Sequence, residues 1–280
     1  WYPGGGLYRP VWLTLSADAH ISDWGTFICT TMVKGEGRKA VLTVSSHIEG
    51  LEHRRAQASV EYALFDAEGH CVARSEEALD AIGNCATELT LSKAHLWSPE
   101  TPYLYSLRTR LTVDGRTMDE TTNKVGVRTI LVDGKGFHLN GKLRKFQGVC
   151  LHHDLGPLGA AVNRAALIRQ IRILKDMGCD AIRTAHNMPS TMQMEVCDSM
   201  GMMVMAESFD MWLYPKCKNG YAMHFRDWAE RDMTNLILCH RNHPSIVMWS
   251  IGNEIPEQWS VQGRQLSRWL QNICHRLDPT

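Results

Sequence analysis

The sequence predicts a multidomain β plus α/β protein, with a β-sandwich in its first half and strands alternating with helices in its second. Three observations point there. From about Ala19 to Arg128, short alternating or β-branched stretches are separated by turn residues. After about Asp133 the pattern changes to short apolar strands between amphipathic helical stretches. A 44% hydrophobic content over 280 residues supplies a sizeable core for both.

In the first half, strands are expected at Thr26–Val33, Lys39–Val44, Ala58–Phe65, Thr87–Leu91, Tyr103–Val113 and Asn123–Thr129. Asp66-Ala67-Glu68-Gly69 and Asp114-Gly115 supply turns between them. This is the spacing of a sandwich of about a hundred residues. No acid, base and nucleophile cluster there, so its expected role is structural.

The second half opens on a short strand at Gly148–Leu151. Asn163 can cap a helix carrying Leu167, Ile168, Ile171 and Leu174 on one face, with Gly178 as its stop. A second strand spans Asp180–Thr184, and Ser190 with Gln193 forms a capping-box pattern for a helix running to Met200 and Gly201. Met202–Ala206 is the third strand. A helix over about Arg226–Arg241 leads to a fourth at Ser245–Ile251, and the last helix presents Leu266, Trp269, Leu270, Ile273, Cys274 and Leu277 on one face.

Composition excludes several classes. Thirty Lys and Arg balance thirty Asp and Glu, so no basic surplus argues for nucleic acid or an anionic membrane. No apolar run reaches the ~18 residues of a membrane span. The nine cysteines contain no C-x-x-C, which favours a reducing, cytoplasmic compartment over a disulfide framework. A periplasmic or secreted location stays open, because the chain begins at Trp1 and a targeting segment could precede it. Nine of the fourteen methionines fall between Met177 and Met211, where soft core filling is the expected role.

Chemistry-bearing residues gather where a parallel barrel would use them, just past the C-terminal ends of its strands. His152, His153 and Asp154 follow the first strand, His186 and Asn187 the second, Glu207 and Asp210 the third, Asn253 and Glu254 the fourth. No H-E-x-x-H, G-x-S-x-G, G-x-G-x-x-G or phosphate loop occurs, and adjacent His152 and His153 point apart if extended. Neither a metal nor a cofactor is therefore expected. What remains is carboxylate chemistry on an uncharged substrate, as in glycoside hydrolysis. Glu254 is the natural acid/base: it follows an apolar strand containing Trp249, and partial burial there would raise its pKa.

The segment His243-Pro244-Ser245-Ile246-Val247-Met248-Trp249-Ser250-Ile251-Gly252-Asn253-Glu254 resembles the acid/base signature of glycoside hydrolase family 2, the β-galactosidase and β-glucuronidase family. Arg183-Thr184-Ala185-His186-Asn187-Met188-Pro189 is similar to the family's second-strand motif, and Phe137–Lys142 through Gly148-Val149 to its barrel entry. Leu96–Tyr105 and Val125-Gly126-Val127-Arg128 resemble the end of its immunoglobulin-like domain, and Gly6–Leu13 the tail of its N-terminal jelly roll.

The resemblance implies a jelly-roll remnant at 1–16, an immunoglobulin-like β-sandwich at 17–129 and the first half of a TIM (β/α)8 barrel, strands one to four, at 130–280. It makes Glu254 the general acid/base and Asn253 a ligand of the sugar 2-hydroxyl. His152, His186, Asn187 and Glu207 are implied at the sugar, Arg183 as an ion-pair partner beside it, and Asp210 and Trp212 nearby. Ala206-Glu207 stands where many members have Asp-Glu, and no metal-binding counterpart follows it.

The implied reaction is retaining hydrolysis of terminal β-linked sugars by double displacement, with β-galactosidase first, β-glucuronidase next and β-mannosidase third. The family's nucleophilic Glu lies on a later strand, so the 280-residue chain alone is expected to show negligible turnover. A truncated, non-catalytic carbohydrate-binding fragment is the reading from another class. The implied partner is a glycoside or oligosaccharide, with homo-oligomerisation of a full-length protein left open.

Overall fold

In the first sandwich sheet, β3 (Lys39–Glu49) lies between β2 (Phe27–Lys34) and β6 (Asn84–Ser92), and the short β1 (His20–Ile21) pairs with its far end. The second sheet has the order β5 (Cys71–Ala78), β4 (Ala58–Phe65), β7 (Tyr105–Val113), β8 (Arg116–Val125). All pairings are antiparallel, and this connectivity is that of an immunoglobulin-like sandwich. The structure, a computed structural model, describes residues 6–51 and 57–280. Residues 11–145 and Asn242–Pro244 make up this unit; the described residues 6–10, 146–241 and 245–280 form a second.

Period-two burial builds the sandwich core. Along β7 buried and part-buried residues alternate without a break, which puts Leu107 and Leu111 inside with Leu42, Val44, Tyr62 and Leu64. The Asp114-Gly115 hairpin closes β7 on β8 with φ of 51° and 74°, the two left-handed residues a tight turn matching the strand twist requires. The two-residue β1, strand β5 and the first seven residues of β8 were not expected, and the strand expected at Asn123–Thr129 ends at Val125. Strands β5 and β8 run along sheet edges with one face in water, so the apolar residues that mark a strand are sparse there.

Beyond β8, the stretch expected to lead into the barrel folds as a three-stranded antiparallel meander within this first unit: β9 (Ile130–Asp133), β10 (Gly136–Leu139) and β11 (Lys142–Arg144). Asn140 ties it down, donating from Nδ2 to the carbonyl of buried Trp97 at 3.0 Å and accepting from the Thr129 amide at 3.0 Å. Asn242 is held the same way, accepting from Ile28 N at 3.0 Å and donating to Thr26 O at 2.8 Å. Of the stretch read as a jelly-roll remnant, residues 1–5 lie outside the described residues, and 6–16 form no strand. Leu7, Val11, Trp12, Leu13 and Leu15 are exposed there.

The second unit is a four-stranded parallel sheet in sequential order: β12 (Gly148–Leu151), β13 (Ala181–Thr184), β14 (Met203–Glu207) and β15 (Ile246–Ser250). Helices α1 (Arg164–Asp176), α2 (Thr191–Met200), α3 (Phe225–His240) and α4 (Val261–Leu277) complete the alternation expected from the sequence, the start of a TIM barrel. The caps explain the boundaries. Asn163 accepts from Ala166 N, Ser190 from Gln193 N and Ser260 from Gly263 N, satisfying first-turn donors, while Gly201 at φ 70° ends α2. Leu167, Ile171, Ile182, Val204 and Ile246 pack one apolar cluster; Phe225, Met233, Ile237, Leu270 and Ile273 belong to another. Among the described residues no helix is long and apolar enough to cross a membrane.

One position tests the sandwich packing. A Cβ on Gly126 would lie 2.5 Å from Pro244 Cβ and 3.0 Å from Trp97 Cβ, and neither neighbour is a flexible chain end. Gly126→Ala is expected to destabilise the unit by ~1–3 kcal/mol, the usual cost of overpacking. The urea midpoint measures it, and an unshifted midpoint would contradict this packing.

Candidate active site

Strand register decides which side chains share a face. Cys150 pairs with Arg183, Arg183 with Met205, and Glu207 with Ser250. Partners in register point the same way, as do residues two apart, so Cys150, Arg183, Glu207 and Ser250 stand on one face of the sheet. Ile182, Val204 and Ala206, one residue out of step, go into the apolar cluster with α1 and α2.

Glu207, the last residue of β14, is 0% exposed. Its Oε2 accepts from Arg183 Nε at 2.5 Å and Ser250 Oγ at 2.8 Å, and its Oε1 pairs with His186 Nδ1 at 2.8 Å. Its amide donates to Thr184 Oγ1 at 3.0 Å. The sequence reading placed Glu207 among groups contacting the sugar. Here both carboxylate oxygens are committed to protein donors, and the residue acts on its surroundings through Arg183, His186 and Ser250. Partial burial draws the Arg183 pKa down, but its hydrogen bond and charge contact with Glu207 outweigh this and raise it above the ordinary value.

From Arg183 the network reaches Asn253, whose Oδ1 accepts from Nη2 at 2.9 Å. Asn253 is buried, and its Nδ2 donates to Asp210 Oδ1 at 2.9 Å. Both ends of the amide are thereby held. Partial burial favours neutral Asp210, but hydrogen bonds from Asn253 and Lys216, with the charges of Lys216 and His186, keep its carboxyl below the usual range.

Two histidines from neighbouring strand ends meet edge to face: His152 and His186, with ring centroids 5.2 Å apart. Burial chiefly, and then the charge of His186, lowers the His152 pKa, and a hydrogen bond with the Ala185 backbone opposes them. His153 turns away and stacks on Tyr8, as adjacent residues of an extended segment should. Asn187 follows His186, and its buried Nδ2 has no hydrogen-bond partner among the described residues.

Glu254 differs from expectation. The sequence reading buried it beside Trp249, yet it is exposed. Trp249 instead packs between the two apolar clusters and donates from Nε1 to Asp278 at 2.8 Å. Glu254 also has φ 43°, a left-handed conformation costing a non-glycine residue ~1–2 kcal/mol. Trp212, placed near the pocket from sequence, is 4% exposed and donates to Ile251 O at 2.8 Å, so it props the end of β15 from within the core.

Sequence reasoning missed Ser250, Thr184, Lys216 and Glu257. Glu257 is buried and accepts the Tyr214 amide at 2.6 Å, tying the segment after β14 to the segment after β15. Thr184 and Ser250 lie inside the two motifs quoted above without being singled out there, and Lys216 and Glu257 lie in none; partner and distance mark all four. Among the described residues no group of three metal-ligating side chains is poised to hold an ion. An open hollow of about 570 Å³ in the sandwich is lined by Ser45, Ser46, His47, Asp80, Asn84 and Cys85, where His47 Nδ1 pairs with Asn84 Oδ1 at 2.8 Å and the Asn84 backbone N–H donates to Asp80 Oδ1 at 2.8 Å.

The buried pair gives one prediction. Glu207→Gln keeps the shape but leaves the Arg183 guanidinium without its counter-charge, which should cost ~3–5 kcal/mol in denaturant unfolding, against ~1 kcal/mol for Ser250→Ala. Equal losses would contradict the central place of the ion pair. A second prediction follows from His152. With its folded pKa below the unfolded value of ~6.5, the unfolded chain takes up the proton first as pH falls. The stability it carries is complete above that value and lost as pH drops through the lower folded one. An NMR titration should place His152 below ~6.5, and a midpoint at or above that would refute the assignment.

Comparison with known proteins bears on the family and the fold. The profile "Glycosyl hydrolases family 2, TIM barrel domain" matches residues 130–280, and the profile "Glycosyl hydrolases family 2" matches residues 19–128. The chain is 44% identical over 265 residues to Beta-galactosidase BoGH2A of Bacteroides ovatus, covering 93% of this chain and 31% of that protein. It is 30% identical to Beta-glucuronidase of Sus scrofa, over 98% of this chain and 40% of that one. A glycosyl hydrolase family 2 member from Bacteroides cellulosilyticus superposes with a TM-score of 0.95 at 36% identity, over 99% of this chain and 36% of that structure. A beta-glycosidase from Bacteroides vulgatus does so with a TM-score of 0.92 at 38% identity, over all of this chain and 35% of that structure. The chain thus spans about a third of the length of the relatives it matches. With the two profiles together matching residues 19–128 and 130–280, the chain belongs to glycosyl hydrolase family 2.

Proposed function

We propose that this chain carries the acid/base half of a retaining β-glycosidase, with β-galactosides as the preferred substrates. The observation that carries the reading is the network at the strand ends: Asn253 held at both ends of its amide by Arg183 and Asp210, directly before an exposed Glu254. A general acid must reach the glycosidic oxygen, and an exposed carboxyl at the end of a barrel strand can do so. In the first step Glu254 gives its proton to the leaving oxygen as the anomeric bond breaks. In the second it takes a proton from the water that releases the sugar from the enzyme. The nucleophile is a second carboxylate, which the family resemblance assigns to a later barrel strand.

Sugar hydroxyls need paired donors and acceptors. The Asn187 Nδ2, the His152 and His186 edges and the second N–H of the Asn253 amide supply them around one end of the sheet. Of the cations described there, Arg183 is paired with Glu207 and Lys216 with Asp210, while Arg9 donates to the Met188 and Pro189 carbonyls. This supports a neutral sugar over a uronic acid, in agreement with the similarity to BoGH2A. The similarity to the Sus scrofa enzyme supports β-glucuronides as the second reading.

In a full-length enzyme carrying this chain, Glu254→Gln should lower kcat on an aryl β-galactoside by about 10²- to 10⁴-fold, the usual worth of a general acid/base. Unchanged hydrolysis would overturn the assignment. Faster cleavage of the matching β-glucuronide by the unmodified enzyme would transfer the substrate preference to the second reading.

A further inference from the structure

Lys216 lies in the segment between β14 and α3, and its sequence surroundings, Pro215-Lys216-Cys217-Lys218, suggest only a solvated loop. Its ammonium is nevertheless committed. It donates to the Asn253 carbonyl at 2.6 Å and to Asp210 Oδ1 at 3.1 Å, with 23% of its side chain exposed. The same Asp210 oxygen accepts the Asn253 amide. One charge therefore holds residue 253 twice, through its backbone directly and through its side chain by way of Asp210.

The carbonyl that Lys216 holds belongs to the peptide bond joining Asn253 to Glu254. The plane of that peptide and the φ of residue 254 together set where the Glu254 side chain leaves the backbone. That φ is 43°, in the region where L-residues are disfavoured, so a released peptide would gain by rotating away. A neighbouring contact also limits the turn: the Asn253 backbone N–H donates to Phe209 O at 3.0 Å. Lys216 supplies the charge-assisted bond, about twice as strong as a neutral one.

We propose that Lys216 is a positioning residue for the acid/base: by clamping the 253–254 peptide and Asp210 together, it aims the Glu254 carboxyl at the glycosidic oxygen. This rests on Glu254 being the general acid/base. Lys216 itself touches no reacting atom and acts through Asn253 and Asp210.

A misdirected acid has a chemical signature. Cleavage of an alkyl β-galactoside needs a proton on the leaving oxygen, whereas a 2,4-dinitrophenolate leaves without one, so only the former depends on the aim of Glu254. The experiment compares Lys216→Met, Glu254→Gln and the unmodified full-length enzyme on both substrates, reading kcat/KM because it reports the bond-breaking step. Lys216→Met should lose roughly tenfold or more on the alkyl glycoside and less than about threefold on the dinitrophenyl one, a fraction of the 10²–10⁴ that an absent acid costs. Equal losses on both, or none on either, would overturn the proposal if Glu254→Gln shows the leaving-group dependence. If Glu254→Gln itself shows none, the acid/base reading fails and the role of Lys216 falls with it. Should Lys216→Met melt early, Lys216→Gln keeps one donor and carries the same test, with a smaller loss of the same selectivity expected and an equal loss on both substrates refuting it.

Discussion

The Glu207–Arg183 pair at the ends of β14 and β13 is the contact from which the rest of the site is built. A carboxylate with no exposed surface is tolerated only when its partners replace the water it has lost, and Arg183, His186 and Ser250 between them do so. The arrangement pins strands together as a consequence. Arg183 comes from β13, Ser250 from β15 and His186 from the turn after β13, so one buried charge fixes three chain segments around it. Such a contact adds modest net stability but penalises any arrangement in which one member is displaced, and that asymmetry gives precision.

Precision at Glu207 is passed outward by hydrogen bonds. Arg183 uses one nitrogen on Glu207 and another on Asn253, whose amide then meets Asp210. Along Glu207, Arg183, Asn253 and Asp210 the hydrogen bonds run without a break, whereas Glu254 remains exposed and the Asn187 Nδ2 keeps an open donor. A rigid, satisfied base under a few available polar groups is what a site needs to hold a ligand without reorganising first. Aiming the exposed carboxyl is a separate problem from burying it, and the backbone conformation at residue 254 with the ammonium of Lys216 addresses the former.

The sandwich reaches its order by other means. Its interior is mainly apolar and periodic, with buried Glu61 paired to Arg108, and several polar contacts serve the backbone: Asn140 and Asn242 close loops, while Tyr105 accepts the His95 N–H at 2.8 Å. These bonds lock connections between strands whose pairing the apolar face already fixes.

Much of this protein was legible in the sequence because periodicity and caps are local. Strand β4 was bounded to the residue, all four parallel strands were found, and Asn163, Ser190 and Gly201 marked helix ends, since a cap needs only its own first or last turn. The segment from His243 to Glu254 that carries the family resemblance is contiguous too. Edge strand β5 and the meander β9–β11 were not legible, because strands with one wet face or a few residues carry little apolar signal. Only tertiary structure could decide that Glu207 is sealed while Glu254 is open. It alone joined Ser250 to Glu207, and Lys216 to Asn253 across 37 positions of sequence. Burial and hydrogen-bond partnership at a strand end depend on what neighbouring strands bring, and those neighbours are set by register and loop path, which no local pattern of residues encodes.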